Sequence, residues 1–298
     1  MADRRRRALG PSALALLALL AACRAPQSSP APTASTSAVT ETLRSASPGA
    51  LRAANSPSAA PVAAAAPSAP PKLAPLFAPT PFVVLQVPGF RDAVVSVPQG
   101  ASEKRVIALA LHGNFDRPEW QCEVWRRITQ ASVFVLCPRG IPRGDVPPSL
   151  DRWEWGSVAK TKAELVAALA ALRARYPDYV ESGPLVFTGF SLGAILGARL
   201  LQDPELDIGA AVLIEGGYAG WSAAKAKALK PRLGRVLFAC GQSECRNAYR
   251  YQLERLFTAA GVPAAMVADV KAGHTYDDPV AALVQSEWPA VVASLKRE

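Results

Sequence analysis

Two side-chain types in this chain can together do acyl-transfer chemistry. Ser191 lies in Gly189-Phe190-Ser191-Leu192-Gly193, which fits the pattern G-x-S-x-G, and the chain has only two histidines, His112 and His274. A serine hydroxyl is a weak nucleophile until a base removes its proton. Imidazole is the side chain suited to that task near neutral pH. Ser191 followed downstream by His274 therefore supplies an attacking oxygen and a proton carrier. A carboxylate must complete the set by orienting the imidazole. Glu244, Glu215 and Asp269 all lie downstream of Ser191 and are the candidates.

The pentapeptide alone is a modest signal, since average Gly and Ser usage produces it by chance in roughly one chain in ten of this length. The flanking elements give it weight. Pro184 to Thr188 is a short apolar run with the features of a buried strand, and Leu192 to Gln202 has helical composition. A serine on a sharp strand-to-helix turn stands exposed at the end of a sheet, with the positive end of the helix beside it.

The same alternation runs through the whole C-terminal part. Strands are predicted over Phe82 to Val87, Ala93 to Val97, Arg105 to Leu111, Ser132 to Cys137, Pro184 to Thr188, Ile208 to Ile214, Arg235 to Ala239 and Ala264 to Val270. Helices are predicted over Pro118 to Gln130, Ala159 to Tyr176, Leu192 to Gln202, Trp221 to Lys230, Cys245 to Ala260 and Asp277 to Lys296. Near-continuous apolar strands separated by helices imply an α/β fold, a mostly parallel sheet covered on both faces. The predicted domain runs from residue 82 to 298.

This order of elements, the G-x-S-x-G turn, His274 after the last strand and Leu111-His112-Gly113-Asn114 after the Arg105 to Leu111 strand together resemble the α/β-hydrolase superfamily, in its serine esterase branch. The resemblance implies a Ser-His-acid triad acting through an acyl-enzyme on carboxylic esters, with no metal or organic cofactor. It implies a structural role for His112. It places oxyanion donors on the N–H groups of Leu192 and of Asn114 or Phe115, and the Asn114 side chain is a further donor. It places the acid after the Arg235 to Ala239 strand, where Glu244 stands in Cys240-Gly241-Gln242-Ser243-Glu244-Cys245. The superfamily more often has Asp there. Glu215 and Asp269 remain as rivals, and Glu244 can equally cap the following helix. Trp153, Tyr218 and Trp221 lie toward the sheet end that carries ligands in such folds. They are either walls of an acyl pocket or packing aromatics. The connection from Glu215 to Trp221 is too short for a separate cap domain.

The N-terminus carries different information. Arg4 to Arg7 form a positive n-region, Ala13 to Ala22 an apolar h-region, and small residues precede Cys23. This is the pattern of a secretory signal over residues 1–22, too short to span a membrane. Leu20-Ala21-Ala22-Cys23 resembles a bacterial lipobox, which implies an acylated Cys23, a membrane anchor and residence in the cell envelope, at the outer membrane or facing the periplasm. An ordinary signal peptide with an incidental cysteine is the other reading. Residues 23–81 hold 12 of the 27 prolines and a single aromatic, Phe77, so they read as a tether that cannot bury enough surface to order itself.

Export to an oxidising space favours disulfides. Cys122 with Cys137 and Cys240 with Cys245 are the simplest pairs, although four cysteines allow three connectivities. The net charge of +9 is partly the Arg4 to Arg7 run, and the remaining basic residues are scattered. That excludes the clustered footprint of a nucleic-acid binder. The sequence thus points to a small-molecule or acyl ester as substrate. A peptidase or polysaccharide-acyl esterase with the same triad and a non-catalytic surface-binding lipoprotein are the alternatives.

Overall fold

The computed structural model describes residues 73–295. The expected signal peptide and Cys23, and the tether up to residue 72, lie outside the described residues.

Eight strands form one sheet: β1 (Phe82–Leu85), β2 (Ala93–Ser96), β3 (Ile107–Leu111), β4 (Phe134–Cys137), β7 (Leu185–Phe190), β8 (Ile208–Ile214), β9 (Arg235–Cys240) and β10 (Ala264–Ala268). Their spatial order is β1-β2-β4-β3-β7-β8-β9-β10. The β1–β2 and β2–β4 pairs are antiparallel, and every later pair is parallel. A two-residue ribbon, β5 (Ile141–Pro142) with β6 (Trp153–Glu154), lies apart from the sheet. The connections are helices α1 (Pro118–Ile128), α2 (Val158–Arg175), α3 (Leu192–Leu200), α4 (Ala223–Leu229), α5 (Ser243–Ala248), α6 (Glu254–Ala260) and α7 (Val280–Ala293).

The central strands are apolar on both faces because both faces are covered. Along β7, Phe187 joins a core with Leu165 and Leu169 of α2, Leu196 of α3, Leu229 of α4 and Phe257 of α6. Its neighbour Val186 points to the opposite face and joins Trp125 of α1 and Val284 and Trp288 of α7. That is the two-residue period of a pleated strand. Burying each such large side chain contributes about 1.5–3 kcal/mol. Trp125 and Trp288 meet edge to face at 5.8 Å and fix α1 against α7. Only residues 215–222 connect β8 to α4, so no cap domain stands over the sheet there.

Several boundaries differ from the sequence expectation by a few residues. Contacts with the sheet domain reach back before residue 82. Leu76 and Ala78 are buried, and the segment is held by backbone bonds from Leu76 N–H to the Ala101 carbonyl and from Gly100 N–H to the Leu76 carbonyl. The Gln99 side chain bonds both backbone groups of Ala78. A few specific contacts thus order a stretch whose composition matches the tether. The final helix starts at Val280, not Asp277, because Pro279 disfavours helical backbone at the residue before it. The helix expected over Cys245 to Ala260 begins earlier, at Ser243, and carries a π-helical turn at Tyr249–Leu253 between α5 and α6.

Candidate active site

Ser191 joins β7 to α3 with φ 50° and ψ −113°, a backbone state that non-glycine residues rarely adopt. Close packing holds it there. The Ser191 N–H donates to the Ile214 carbonyl at the end of β8 (2.9 Å). A Cβ at Gly193 would stand 2.3 Å from the Leu111 carbonyl oxygen, and one at Gly189 would stand 2.7 Å from the Gly193 and Ala194 backbone. The two glycines of the pentapeptide are therefore needed for close approach, and the approach aims the hydroxyl outward.

Ser191 Oγ lies 2.9 Å from His274 Nε2. On the other side of the imidazole, His274 Nδ1 lies 3.2 Å from Glu215 Oε2. Here the structure departs from the sequence expectation. Glu244 lies exposed in the first turn of α5 and makes no bond to His274. Asp269 accepts from the Lys271 N–H and so closes its own turn. The carboxylate facing His274 belongs to Glu215, the residue directly after β8. Its side chain is 2% exposed, against 46% for His274. Glu215 Oε1 accepts from the Gly241 N–H (2.5 Å) and the Gln242 N–H (2.8 Å), so its second oxygen is left for the imidazole. The turn after β9 thus supplies two backbone donors where the sequence reading placed the carboxylate itself.

His112 stands apart from this relay. It is fully buried, stacks on Trp155 at 4.6 Å, and places its ring nitrogens against the carbonyls of Gly113 (2.7 Å) and Arg139 (2.9 Å). Trp155 Nε1–H donates to the His112 carbonyl. Burial pushes the His112 pKa below its ordinary 6.5, against the opposing pull of the two carbonyls and Asp116. A base whose folded pKa is depressed is stable neutral, and the unfolded chain takes up its proton first as pH falls through about 6.5. His112 therefore contributes stability that is present above that pH and lost below it. Thermal unfolding of the wild type should lose more on going from pH 7.5 to 5.5 than that of His112→Gln. Equal losses would remove His112 as the cause.

Gly113 follows so closely on Ser191 that a Cβ there would stand 3.4 Å from Ser191 Cβ. Of the expected oxyanion donors, the Phe115 N–H is donated to the Trp153 carbonyl (3.0 Å), which takes it out of the set. Phe115 itself has φ 63°. The N–H groups of Leu192, first residue of α3, and of Asn114 remain. Asn114 Oδ1 accepts from Arg143, which fixes the side-chain amide.

Sequence reasoning passed over Asp116. It is buried, its carboxylate accepts from Tyr276 OH (3.2 Å), the Arg117 N–H (2.8 Å) and the Gly113 N–H (3.4 Å), and burial holds its pKa above the ordinary 3.8. It ties the Gly113 loop to the loop that carries His274. Phe190 packs between them, 5.0 Å from the His274 ring and 4.6 Å from Tyr276. An isolated aspartate in a loop carries no sequence signal for this role.

The three aromatics expected as pocket walls or packing residues each have partners of their own. Trp153 is buried, donates to Asp151 and lies under Arg139. Trp221 packs edge-on against Phe257 at 4.9 Å. Tyr218 lines an open cleft of about 470 Å³ with Glu244, Asn247 and Tyr251. Phe115, in the loop beside Asn114, and Trp120, in the first turn of α1, are exposed, and both lie under the Arg152 guanidinium.

Cys122 is bonded to Cys137, joining α1 to the end of β4, and Cys240 to Cys245, closing the turn between β9 and α5.

No protein-family profile and no curated protein matches the sequence. The structure is similar to that of a Klebsiella pneumoniae protein assigned as a dienelactone hydrolase, at 18% identity and a TM-score of 0.52 over 71% of this chain and 98% of that one. It is also similar to a Thermus thermophilus protein, at 16% identity and a TM-score of 0.50 over 73% of this chain and 98% of that one. Sheet order, the strand-Ser191-helix turn and this likeness agree: the chain has the α/β-hydrolase fold.

Proposed function

We propose that this protein is a serine hydrolase that cleaves carboxylic esters through an acyl-enzyme. The observation that carries the reading is the unbroken relay Ser191–His274–Glu215, at 2.9 and 3.2 Å, anchored by two backbone amides on Glu215. The assignment of the Klebsiella relative as a dienelactone hydrolase is in keeping with it.

In this reading Ser191 Oγ attacks the ester carbonyl carbon while His274 Nε2 takes its proton. Glu215 keeps the other proton on Nδ1 and stabilises the imidazolium that forms. The developing oxyanion meets the N–H groups of Leu192 and Asn114 and the positive end of α3. Each such donor is worth about 3–4 kcal/mol in the transition state. His274 then protonates the departing alcohol. Water, deprotonated by the same imidazole, releases the acid and restores Ser191.

Residence in the cell envelope through an acylated Cys23 belongs to the same proposal. It rests on the N-terminal sequence, and two disulfides in the folded unit fit an oxidising compartment.

A fluorophosphonate probe reacts only with an activated serine, so it tests the reading without knowledge of the natural ester. Peptide mapping should find one adduct, on Ser191. A protein left unlabelled, or labelled elsewhere, counts against it.

A further inference from the structure

The turn closed by the Cys240–Cys245 bond touches two members of the relay. From inside this turn, the Gly241 and Gln242 N–H groups hold Glu215 Oε1. The Gly241 carbonyl accepts from the Gly273 N–H (2.9 Å), one residue before His274. The Cys240 carbonyl accepts from the Asp269 N–H at the start of the same loop. A Cβ on Gly241 would stand 2.1 Å from the Gly273 carbonyl oxygen, so the two loops are in close contact.

We propose that the Cys240–Cys245 disulfide is a positioning element of this site, fixing the turn whose amides hold Glu215 and whose carbonyl holds the His274 loop. This rests on the hydrolase reading for its kinetic consequence, and on the geometry alone for its structural one.

Two observations set it apart from a stabilising crosslink. A disulfide limits the unfolded chain less as the loop it closes gets shorter. This one spans a separation of 5 residues, against 15 for Cys122–Cys137. For global stability it is the poorer of the two. Locally it does what little else can. Between the end of β9 and the start of α5 only two residues, Gly241 and Gln242, carry both sets of bonds. Holding the Cys240 and Cys245 ends together stops the turn from opening. Both sulfurs belong to nearly inaccessible residues, 1% and 2% exposed, so the bond is a fixed part of the site and not a surface redox switch.

The test compares the two disulfides in the full-length protein. Cys240→Ser/Cys245→Ser and the apolar pair Cys240→Ala/Cys245→Val each remove the short bridge. The apolar pair keeps the buried volume and covers the case in which the serine pair does not fold. Cys122→Ser/Cys137→Ser is the comparison. The readouts are kcat and KM for p-nitrophenyl butyrate, the rate of fluorophosphonate labelling at Ser191, the melting temperature, and the low-field proton NMR signal of His274 Nδ1–H.

Loss of the short bridge should lower kcat and the labelling rate roughly 10- to 100-fold, the scale of a positioning error of about 1 Å. KM should stay within about twofold, and the NMR signal should broaden or vanish. Loss of the Cys122–Cys137 bridge should lower the melting temperature and leave kcat and the signal in place. Wild-type kcat with an intact signal in either short-bridge variant overturns the proposal, as does an equal kcat loss in both disulfide variants. If the wild type is not labelled, the hydrolase reading fails by itself. The NMR comparison then still decides whether this disulfide holds Glu215 against His274.

Discussion

Ser191→Ala should reduce ester turnover to the assay background, a fall of roughly 10⁶-fold in kcat on the scale seen when a relay serine is removed. The melting temperature should hardly move. Alanine at φ 50° bears the same backbone cost as serine, and the bond lost is the one to a half-exposed imidazole. A neutral hydrogen bond of that kind contributes about 1 kcal/mol at most. The effect on rate and the effect on stability therefore separate by several orders of magnitude. The loss is also non-additive. His274→Ala in the Ser191→Ala background should cost almost nothing further, because the two groups work as one unit. What remains should be the modest acceleration that the Leu192 and Asn114 donors give to attack by water. Turnover of p-nitrophenyl butyrate by purified variants, with thermal unfolding in parallel, checks both halves. A Ser191→Ala protein that keeps a tenth of wild-type activity would sink the mechanism.

How much of this was legible in the sequence depended on whether a residue answers to a local or a tertiary demand. Ser191 was legible because its turn imposes backbone requirements on its immediate neighbours. Gly189 and Gly193 are there because the chain passes within contact distance of itself and of β3. The strand and helix alternation was legible for a similar reason, since strands covered on both faces must be apolar throughout. His274 was legible through scarcity and position after the last strand. The carboxylate that faces His274 was not, because nothing local distinguishes Glu215 from Glu244. Both follow strands, and both lie between Ser191 and His274. What selects Glu215 is that β8 lies beside β7 in the sheet, and that the Gly241 and Gln242 amides from the next turn face its carboxylate. The Phe115 donor failed for a related reason, since the bond to Trp153 depends on a ribbon formed more than thirty residues downstream. The docking of Leu76 was hidden by composition, because its neighbours in the chain are the same Ala and Pro residues that fill the tether.

The choice between the two glutamates has the second largest expected effect. Glu215→Gln should lower kcat roughly 10⁴-fold, the loss found when a relay carboxylate becomes an amide. The geometry says why so conservative a change is so costly. Glu215 Oε1 receives two backbone N–H groups, so the glutamine must keep its oxygen there. Turning the amide over would set its NH₂ against two donors in a buried site. The side-chain nitrogen is thereby forced toward His274 Nδ1. It donates to that nitrogen, and the imidazole proton moves to Nε2. A ring protonated at Nε2 donates toward Ser191 Oγ and cannot take its proton. Glu244→Gln, exposed and unbonded to His274, should leave kcat within about twofold, as expected of a surface change away from the relay. Steady-state kinetics on the two variants settles the assignment, provided that their melting temperatures show both to be folded. Near-wild-type kcat in Glu215→Gln together with a large loss in Glu244→Gln would return the acid to the turn after β9.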